Sequence, residues 1–141
     1  MQKRSPKNLS RKAQVELKFL EALQQRLPEN IRILEGLLEL NNSNGRHDEG
    51  LRIAQHVVAM IPDQADAWYN LGACYAMTGK TTEAVAALSK AVSMGYDDYR
   101  WMQTDQELLP LRNDPRFKRL LSKIKQLTAE ERALKSKVDS I

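Results

Sequence analysis

The chain has 141 residues, of which 42% are hydrophobic and 28% are charged. This balance is typical of one folded domain with its own core, and it argues against disorder over the whole length. No apolar run approaches the roughly 18 residues that a membrane span needs, and the polar, basic N-terminus lacks the apolar stretch of a secretory signal. We therefore expect a cytoplasmic protein that does not use a membrane as a partner.

The charge of the chain changes sign along its length. Residues 1–12 hold five basic and no acidic residues, residues 29–107 hold twelve acidic against six basic ones, and residues 108–141 hold nine basic against four acidic ones. An acidic body with basic ends argues against nucleic acid as the partner, because few aromatic residues accompany the basic ones. We predict that residues 1–8 form a disordered basic tail.

The first predicted element is a helix within residues 9–30, which begins near Leu9 or Ser10 and ends before Pro28. Its expected apolar stripe consists of Val15, Leu17, Leu20, Leu23 and Leu27. We expect it to cap the domain as the second helix of an incomplete repeat.

Two units with a period of about 34 residues follow, at 31–64 and 65–94. In the second unit Trp68, Leu71 and Tyr75 share one helix face, because steps of three and four residues return to the same side. Gly72 and Ala84 are small enough for two helices to approach closely. The unit therefore predicts a helical hairpin with large rings on either side of the close contact.

The remaining positions of these units support the same hairpins. Gly79 predicts a helix end with positive φ, and Thr81 or Thr82 is the expected N-cap of the next helix. The first unit is more degenerate. Leu34, Leu38 and Asn41 stand in it where the second unit has Trp68, Gly72 and Tyr75.

Residues 95–127 predict a closing cap for the last repeat, with Asp114 before Pro115 as the N-cap of its final helix. The bulky residues expected to cover the last apolar face are Tyr99, Trp101, Leu108, Leu111 and Phe117. A binding role for Tyr99 or Trp101 is the less favoured alternative.

Residues 128–141 predict a helical tail with two possible arrangements. A heptad-like seam, interrupted by Glu131, consists of Phe117, Leu120, Ile124, Leu127, Leu134, Val138 and Ile141. It indicates either one long helix that pairs with a partner or with a second copy, or a helix that ends near Leu127. In the second and favoured case Thr128 caps a new short helix, and the tail is frayed or weakly docked.

The pattern Trp68-x2-Leu71-Gly72-x2-Tyr75, followed by Ala84-x3-Leu88, resembles the tetratricopeptide repeat signature, with leucine at 88 in place of the usual aromatic residue. Residues 95–121 resemble the closing segment of many bacterial tetratricopeptide proteins. The resemblance implies an all-α fold, a short right-handed superhelical stack of antiparallel helix pairs with N- and C-terminal capping helices. It also implies a concave face lined by the first helix of each unit.

That family resemblance implies a protein–protein interaction module, an adaptor or scaffold that binds a peptide or protein segment on the concave face. The residues opposite the packing stripe, and so the expected groove, are Arg32, Glu35, Glu39, Asn42, Asp66, Tyr69, Asn70, Ala73 and Met77. Some family members hold C-terminal carboxylates with a basic clamp, but Glu35 and Glu39 replace the lysine and asparagine expected there. We therefore expect a partner of basic or mixed polarity.

No residues predict a catalytic, cofactor or metal site. The two histidines, His47 and His56, have no clustered partners, and the single cysteine, Cys74, lies in an apolar stretch typical of a core. We expect no enzyme and no cofactor. The alternatives to an adaptor are a weak homodimer through residues 117–141 and a regulatory subunit of an unidentified enzyme.

Overall fold

The computed structural model describes residues 9–141, and the predicted basic tail at 1–8 lies outside them. Within that range the chain is helical, without a β-strand, so the all-α prediction is confirmed. The α-helices are α1 Arg11–Arg26, α2 Ile31–Ser43, α3 His47–Met60, α4 Ala65–Met77, α5 Thr81–Ser93, α6 Tyr99–Thr104 and α7 Pro115–Asp139. A 3-10 helix, Gln106–Leu111, lies between α6 and α7.

The helices stack in chain order. The most extensive contacts join α4 to α5 and α2 to α3, which are the two predicted hairpins. Helix α3 packs on α4, and α1 packs on α2, so each hairpin covers the apolar face of its neighbour. Both units therefore belong to one stack of helix pairs, as the repeat predicts. None of the described helices has the length and apolar character needed to cross a membrane.

The close contact predicted at Gly72 is present. A Cβ atom added there would lie 2.7 Å from Cγ of Leu88 and 3.2 Å from the backbone oxygen of Ala84, which is closer than side chains tolerate. Trp68 and Tyr75 are half-buried and pack beside this contact. The Trp68 indole donates a hydrogen bond of 2.8 Å to the backbone oxygen of Pro62, which fixes the ring across the inter-repeat turn.

The helix ends follow the predictions in part. Gly79 has a φ of +79°, the left-handed conformation that glycine adopts most easily, so the predicted helix stop is confirmed. The predicted cap at Thr81 or Thr82 is wrong: α5 begins at Thr81, and its N-cap, Lys80, makes no side-chain capping bond. The Thr82 hydroxyl instead accepts a hydrogen bond of 3.0 Å from Arg116 of α7.

Helix α1 caps the first repeat with a narrower stripe than predicted. The Ser10 hydroxyl accepts from the backbone N–H of Ala13 and caps the helix. Leu17 is buried, and Ala13, four residues earlier, is buried beside it. Val15 and Leu27 are 62% and 51% exposed, so their predicted place in the stripe is wrong. The face that contacts α2 follows the spacing of Ala13 and Leu17, which turns Val15 outward.

The closing segment folds back against the last repeat. The 3-10 helix packs on α4, and α7 packs on α5 and α6. Met102, Leu108 and Leu111 are fully buried in the same cluster as Phe117. Trp101 is 55% exposed, so its predicted role in covering the core is wrong. Met102 points inward in its place, because adjacent residues on a helix point about 100° apart.

Helix α7 runs without interruption from Pro115 to Asp139, so the predicted break near Leu127 is wrong. The Thr128 hydroxyl donates to the backbone oxygen of Ile124, a bond made inside a continuing helix rather than at a new N-cap. Beyond Thr128 every residue of the helix is exposed. The N-cap at Asp114 is confirmed, and the adjacent Arg116 guanidinium lowers the pKa of that carboxyl to about 2.

Candidate functional site

A groove runs between α2, α4 and the closing segment, on the face where the predicted binding residues lie. It consists of three adjoining hollows that share residues. The first is lined by Glu35, Ala65, Asp66, Tyr69, Asn70, Gly95, Tyr96, Asp97, Asp98 and Trp101. The second is lined by Glu35, Leu38, Glu39, Asn42, Ser43, Asn70 and Glu107, and the third by Asn42, Ser43, Gly45, His47, Met77, Gln106 and Glu107. We call the whole the acidic groove.

Carboxylates dominate this groove. The six that line it are Glu35, Glu39, Asp66, Asp97, Asp98 and Glu107. No lysine or arginine lines these three hollows, although a neighbouring hollow that shares Asp97 and Asp98 with the first is lined by Arg100, Lys125 and Arg132. Like charges gathered along a concave surface focus a negative potential there, which raises the local concentration of cations.

Most of the predicted binding residues are brought together by the fold. Seven of the nine line the acidic groove: Glu35, Glu39, Asn42, Asp66, Tyr69, Asn70 and Met77. Arg32 is exposed outside it, and Ala73 is buried beneath it at 2% exposure. The only basic residue of the predicted set is therefore not a lining residue.

Tyr69 and Ala73 were expected to be exposed, and for both that expectation is wrong. The closing segment covers this part of α4, and both residues share a core cluster with Leu108. The Tyr69 hydroxyl donates a hydrogen bond of 2.6 Å to Oδ2 of Asp105, and the Tyr69 ring stacks on Tyr96 with centroids 4.5 Å apart. Burial raises the pKa of Tyr69, and the bond to Asp105 adds to the effect.

Asp105 joins the closing segment to the repeat. Its Oδ1 accepts from the backbone N–H of Glu107 at 2.9 Å and caps the 3-10 helix, while its Oδ2 accepts from Tyr69. Asp105 is 7% exposed, yet both of its oxygens have partners. One carboxylate therefore fixes both the floor of the groove and the element that forms its wall.

The closing segment contributes more to this surface than was predicted from the sequence, which offered only Tyr99 or Trp101 as an alternative binding residue. Trp101 presents an exposed indole to the groove beside Asp97 and Asp98, and Glu107 connects the second and third hollows. The Asp97–Asp98 pair was the available signal, because two adjacent acids beside an aromatic residue rarely point into a core. Burial raises the pKa of Glu107, and the negative charge of Asp105 raises it further.

The other residues that could carry chemistry, Cys74 and His47, are buried and partly buried in the fold. Cys74 is 1% exposed, burial raises its pKa to about 11, and its sulfur accepts from the Asn42 amide at 3.4 Å. Burial lowers the pKa of His47 at the start of α3, against the opposing effect of Asp48. Residues 9–141 contain no group of three or more histidine, cysteine, aspartate or glutamate side chains placed to hold a metal ion.

Comparison with known proteins identifies the repeats. A family model described as tetratricopeptide repeat matches residues 42–102, which contain the hairpin with the Gly72 contact. Residues 42–102 are therefore similar to tetratricopeptide repeats. Tetratricopeptide repeats generally mediate protein–protein interactions and are generally not enzymes.

A curated relative extends the similarity beyond the two repeats. A chloroplastic protein of Arabidopsis thaliana is 26% identical to this chain over 119 residues, which cover 82% of the chain and 35% of that protein. The chain thus spans about a third of the length of the curated relative it matches.

Proposed function

We propose that this protein is an adaptor that binds a lysine- or arginine-rich segment of a partner protein in the acidic groove. The observation that supports the proposal is the set of six carboxylates around an exposed indole, with no lysine or arginine among the lining residues. A basic segment gains attraction along the whole groove, whereas an acidic one is repelled. A cytoplasmic location is part of this proposal; the name of the curated relative assigns that protein to the chloroplast.

Two local features favour cations in particular. The Trp101 indole stands beside Asp97 and Asp98, so an incoming lysine or arginine can contact the ring face and a carboxylate together. Glu107 has a raised pKa because it is partly buried near Asp105. A bound cation would lower that pKa, so binding of a basic peptide is expected to strengthen as the pH rises through the titration of Glu107.

The direct test is fluorescence anisotropy with a labelled twelve-residue peptide of alternating lysine and serine, compared with a matched glutamate–serine peptide. We expect the basic peptide to bind and the acidic one not to bind. The double variant Glu35→Gln, Glu39→Gln should weaken binding of the basic peptide about tenfold, or ~1.4 kcal/mol. The matched control is Glu16→Gln, Glu83→Gln, which removes the same charge from exposed positions of α1 and α5 that do not line the groove.

Two results would reject the proposal. One is tighter binding of the glutamate peptide. The other is equal weakening by the groove variant and by the control, which would mean that only overall charge matters. The salt dependence is a further check that the attraction is electrostatic. Raising the salt from 50 to 200 mM should weaken binding of the basic peptide, because salt screens the attraction between exposed charges.

Self-association through α7 is the second candidate function, and the exposed end of that helix favours it. Phe117, Leu120 and Ile124 are buried against the chain's own repeat, so the first half of the predicted seam is already occupied. The second half is exposed: Leu127 is 42%, Leu134 66% and Val138 61% exposed. Only this half is available to a second copy.

An antiparallel arrangement of two such helices fits the charges best. In a parallel pair Glu131 would face its own copy at a core position, which repels. In an antiparallel pair Glu131 faces Leu134 of the other copy, and Glu130 lies near Lys137 of the other copy. The two-fold symmetry forms each of these contacts twice. The free seam is about two heptads long, so we propose a weak dimer.

Sedimentation velocity of the full chain between 10 and 500 μM tests this candidate. We expect the wild type to shift toward a dimer with concentration and Leu134→Glu to remain monomeric. Ser136→Glu, which adds the same charge on the opposite side of the exposed helix, should behave as the wild type. A monomeric wild type over the whole range would disprove self-association. The third alternative, a regulatory subunit of an enzyme, stays a prediction.

A further inference from the structure

Another hollow adjoins the acidic groove, between α6 and α7. It shares Asp97 and Asp98 with the first hollow of the groove, so the two surfaces meet at this pair of aspartates. Its remaining lining residues are Tyr99 and Arg100 of α6 and Lys125, Thr128, Ala129 and Arg132 of α7. We call it the α6–α7 hollow.

The sequence of α7 explains the shape of this hollow. Lys125, Thr128, Ala129 and Arg132 are separated by three and four residues, which returns them to one face of the helix. The short side chains of Thr128 and Ala129 lie between two long cationic ones, which leaves a depression between the cations. Because Lys125 and Arg132 are seven residues apart, they are separated by about 10 Å along the helix.

The basic side chains of the hollow are accessible and are not neutralised. Arg100, Lys125 and Arg132 are all exposed, and among residues 9–141 no ion pair joins any of them to a carboxylate. No acid lies three or four residues from Lys125 or Arg132 on α7, so the usual ion pairs within a helix cannot form. Nζ of Lys125 instead lies 5.9 Å from the centre of the Tyr99 ring, in a cation–π contact between α7 and α6.

The charge of the surface therefore changes sign across Asp97 and Asp98. Oδ1 of Asp98 accepts from the backbone N–H of Trp101 at 3.0 Å and caps α6, which fixes this carboxylate at the border. On one side of the border lie the carboxylates of the acidic groove, and on the other side lie three cations. A segment that leaves the groove across this border meets positive charge, so acidic residues are favoured there.

We propose that the α6–α7 hollow binds a short block of aspartate or glutamate residues in the partner protein, next to the basic segment that occupies the acidic groove. This inference rests on the proposed function and adds the charge pattern of the partner. Two acids three positions apart in an extended segment are separated by about 10 Å, which matches the spacing of Lys125 and Arg132 along α7. A nucleic acid fits less well, because its phosphates would also lie beside the carboxylates of the groove.

The test extends the lysine–serine peptide by Gly-Gly and Asp-Ser-Ser-Asp, at its N-terminus in one peptide and at its C-terminus in another. Fluorescence anisotropy with the full chain should show that at least one of them binds fivefold more tightly than a counterpart with asparagine in place of aspartate. Overall charge predicts the opposite, because the aspartates make the peptide less positive.

The unextended peptide separates failure of this inference from failure of the proposed function. If it binds and neither extension gives a gain, the inference is overturned and the proposed function stands. If it does not bind, both are rejected.

A double variant tests the position of the acidic block. Lys125→Gln, Arg132→Gln should abolish the gain and leave binding of the unextended peptide within twofold of the wild type. The matched control Lys123→Gln, Lys135→Gln removes the same charge from exposed positions of α7 that do not line the hollow, and it should keep the gain. A gain that persists in the first variant, or is lost equally in the control, would contradict the inference.

A twelve-nucleotide oligothymidylate tests the other class of partner. We expect it to bind at least tenfold more weakly than the better extended peptide. Tighter binding of the oligonucleotide, lost in the Lys125→Gln, Arg132→Gln variant, would assign the hollow to nucleic acid and reject the inference.

Discussion

Substituting valine for Gly72 is expected to lower the free energy of unfolding by about 3 kcal/mol, the upper part of the range for overpacked cores. The first added carbon would already lie 2.7 Å from Cγ of Leu88 and 3.2 Å from a backbone oxygen of Ala84. Leu88 and Ala84 are both fully buried, so neither can move aside. Urea denaturation followed by circular dichroism should show a lower midpoint with an unchanged slope.

Gly36→Ala is the matched control, since it also adds a side chain to a glycine within the first helix of a repeat. There the new Cβ would lie 3.5 Å from Cδ1 of Leu20, an ordinary van der Waals contact. Helix propensity then dominates, and the variant should be more stable by roughly 0.5–1 kcal/mol. Equal destabilisation by the two substitutions would show that the close helix contact at Gly72 is not what requires glycine there.

The repeat hairpins could be predicted from the sequence because their determinants are local. Gly72, Tyr75 and Gly79 lie within eight residues of one another, and helical geometry alone sets which of them face the next helix. The close contact, the half-buried rings and the positive φ of Gly79 all agree with that spacing.

The binding face was harder to predict because a distant segment shapes it. Tyr69 lies off the packing stripe of its own helix, so a single hairpin would leave it exposed. It is buried because Asp105, 36 residues later, binds its hydroxyl and Tyr96 stacks on its ring. Such a contact depends on the path of the chain after α5, which helical periodicity does not encode.

The acidic character of the groove could be predicted only in part from the sequence, because the distant closing segment also contributes to it. Glu35 and Glu39 lie four residues apart on α2 and were predicted to share a face. Asp97, Asp98 and Glu107 reach the same surface only through the fold of the closing segment. The groove is therefore more acidic than the first helices alone would make it, and Arg32, the one base predicted there, does not line it.

Truncating Leu111 to alanine should cost about 3 kcal/mol of stability, since a fully buried leucine leaves a cavity when it is shortened. Leu111 is 0% exposed and lies in the cluster that joins the 3-10 helix to α4, α5 and α7. The closing segment therefore belongs to the cooperative core rather than lying on its surface. Thermal unfolding should show one transition at a lower temperature, with the far-UV signal of all helices lost together.

Leu109→Ala provides the comparison, because Leu109 belongs to the same 3-10 helix and is 49% exposed. It should change the stability by less than about 0.5 kcal/mol. If the closing segment were instead an independent unit, Leu111→Ala would release it while the two hairpins stayed folded, and two transitions would be seen. That result would also remove the groove, because Trp101 and Glu107 reach it only while this segment stays packed on α4. The stability of the core and the shape of the binding face thus depend on the same buried contacts.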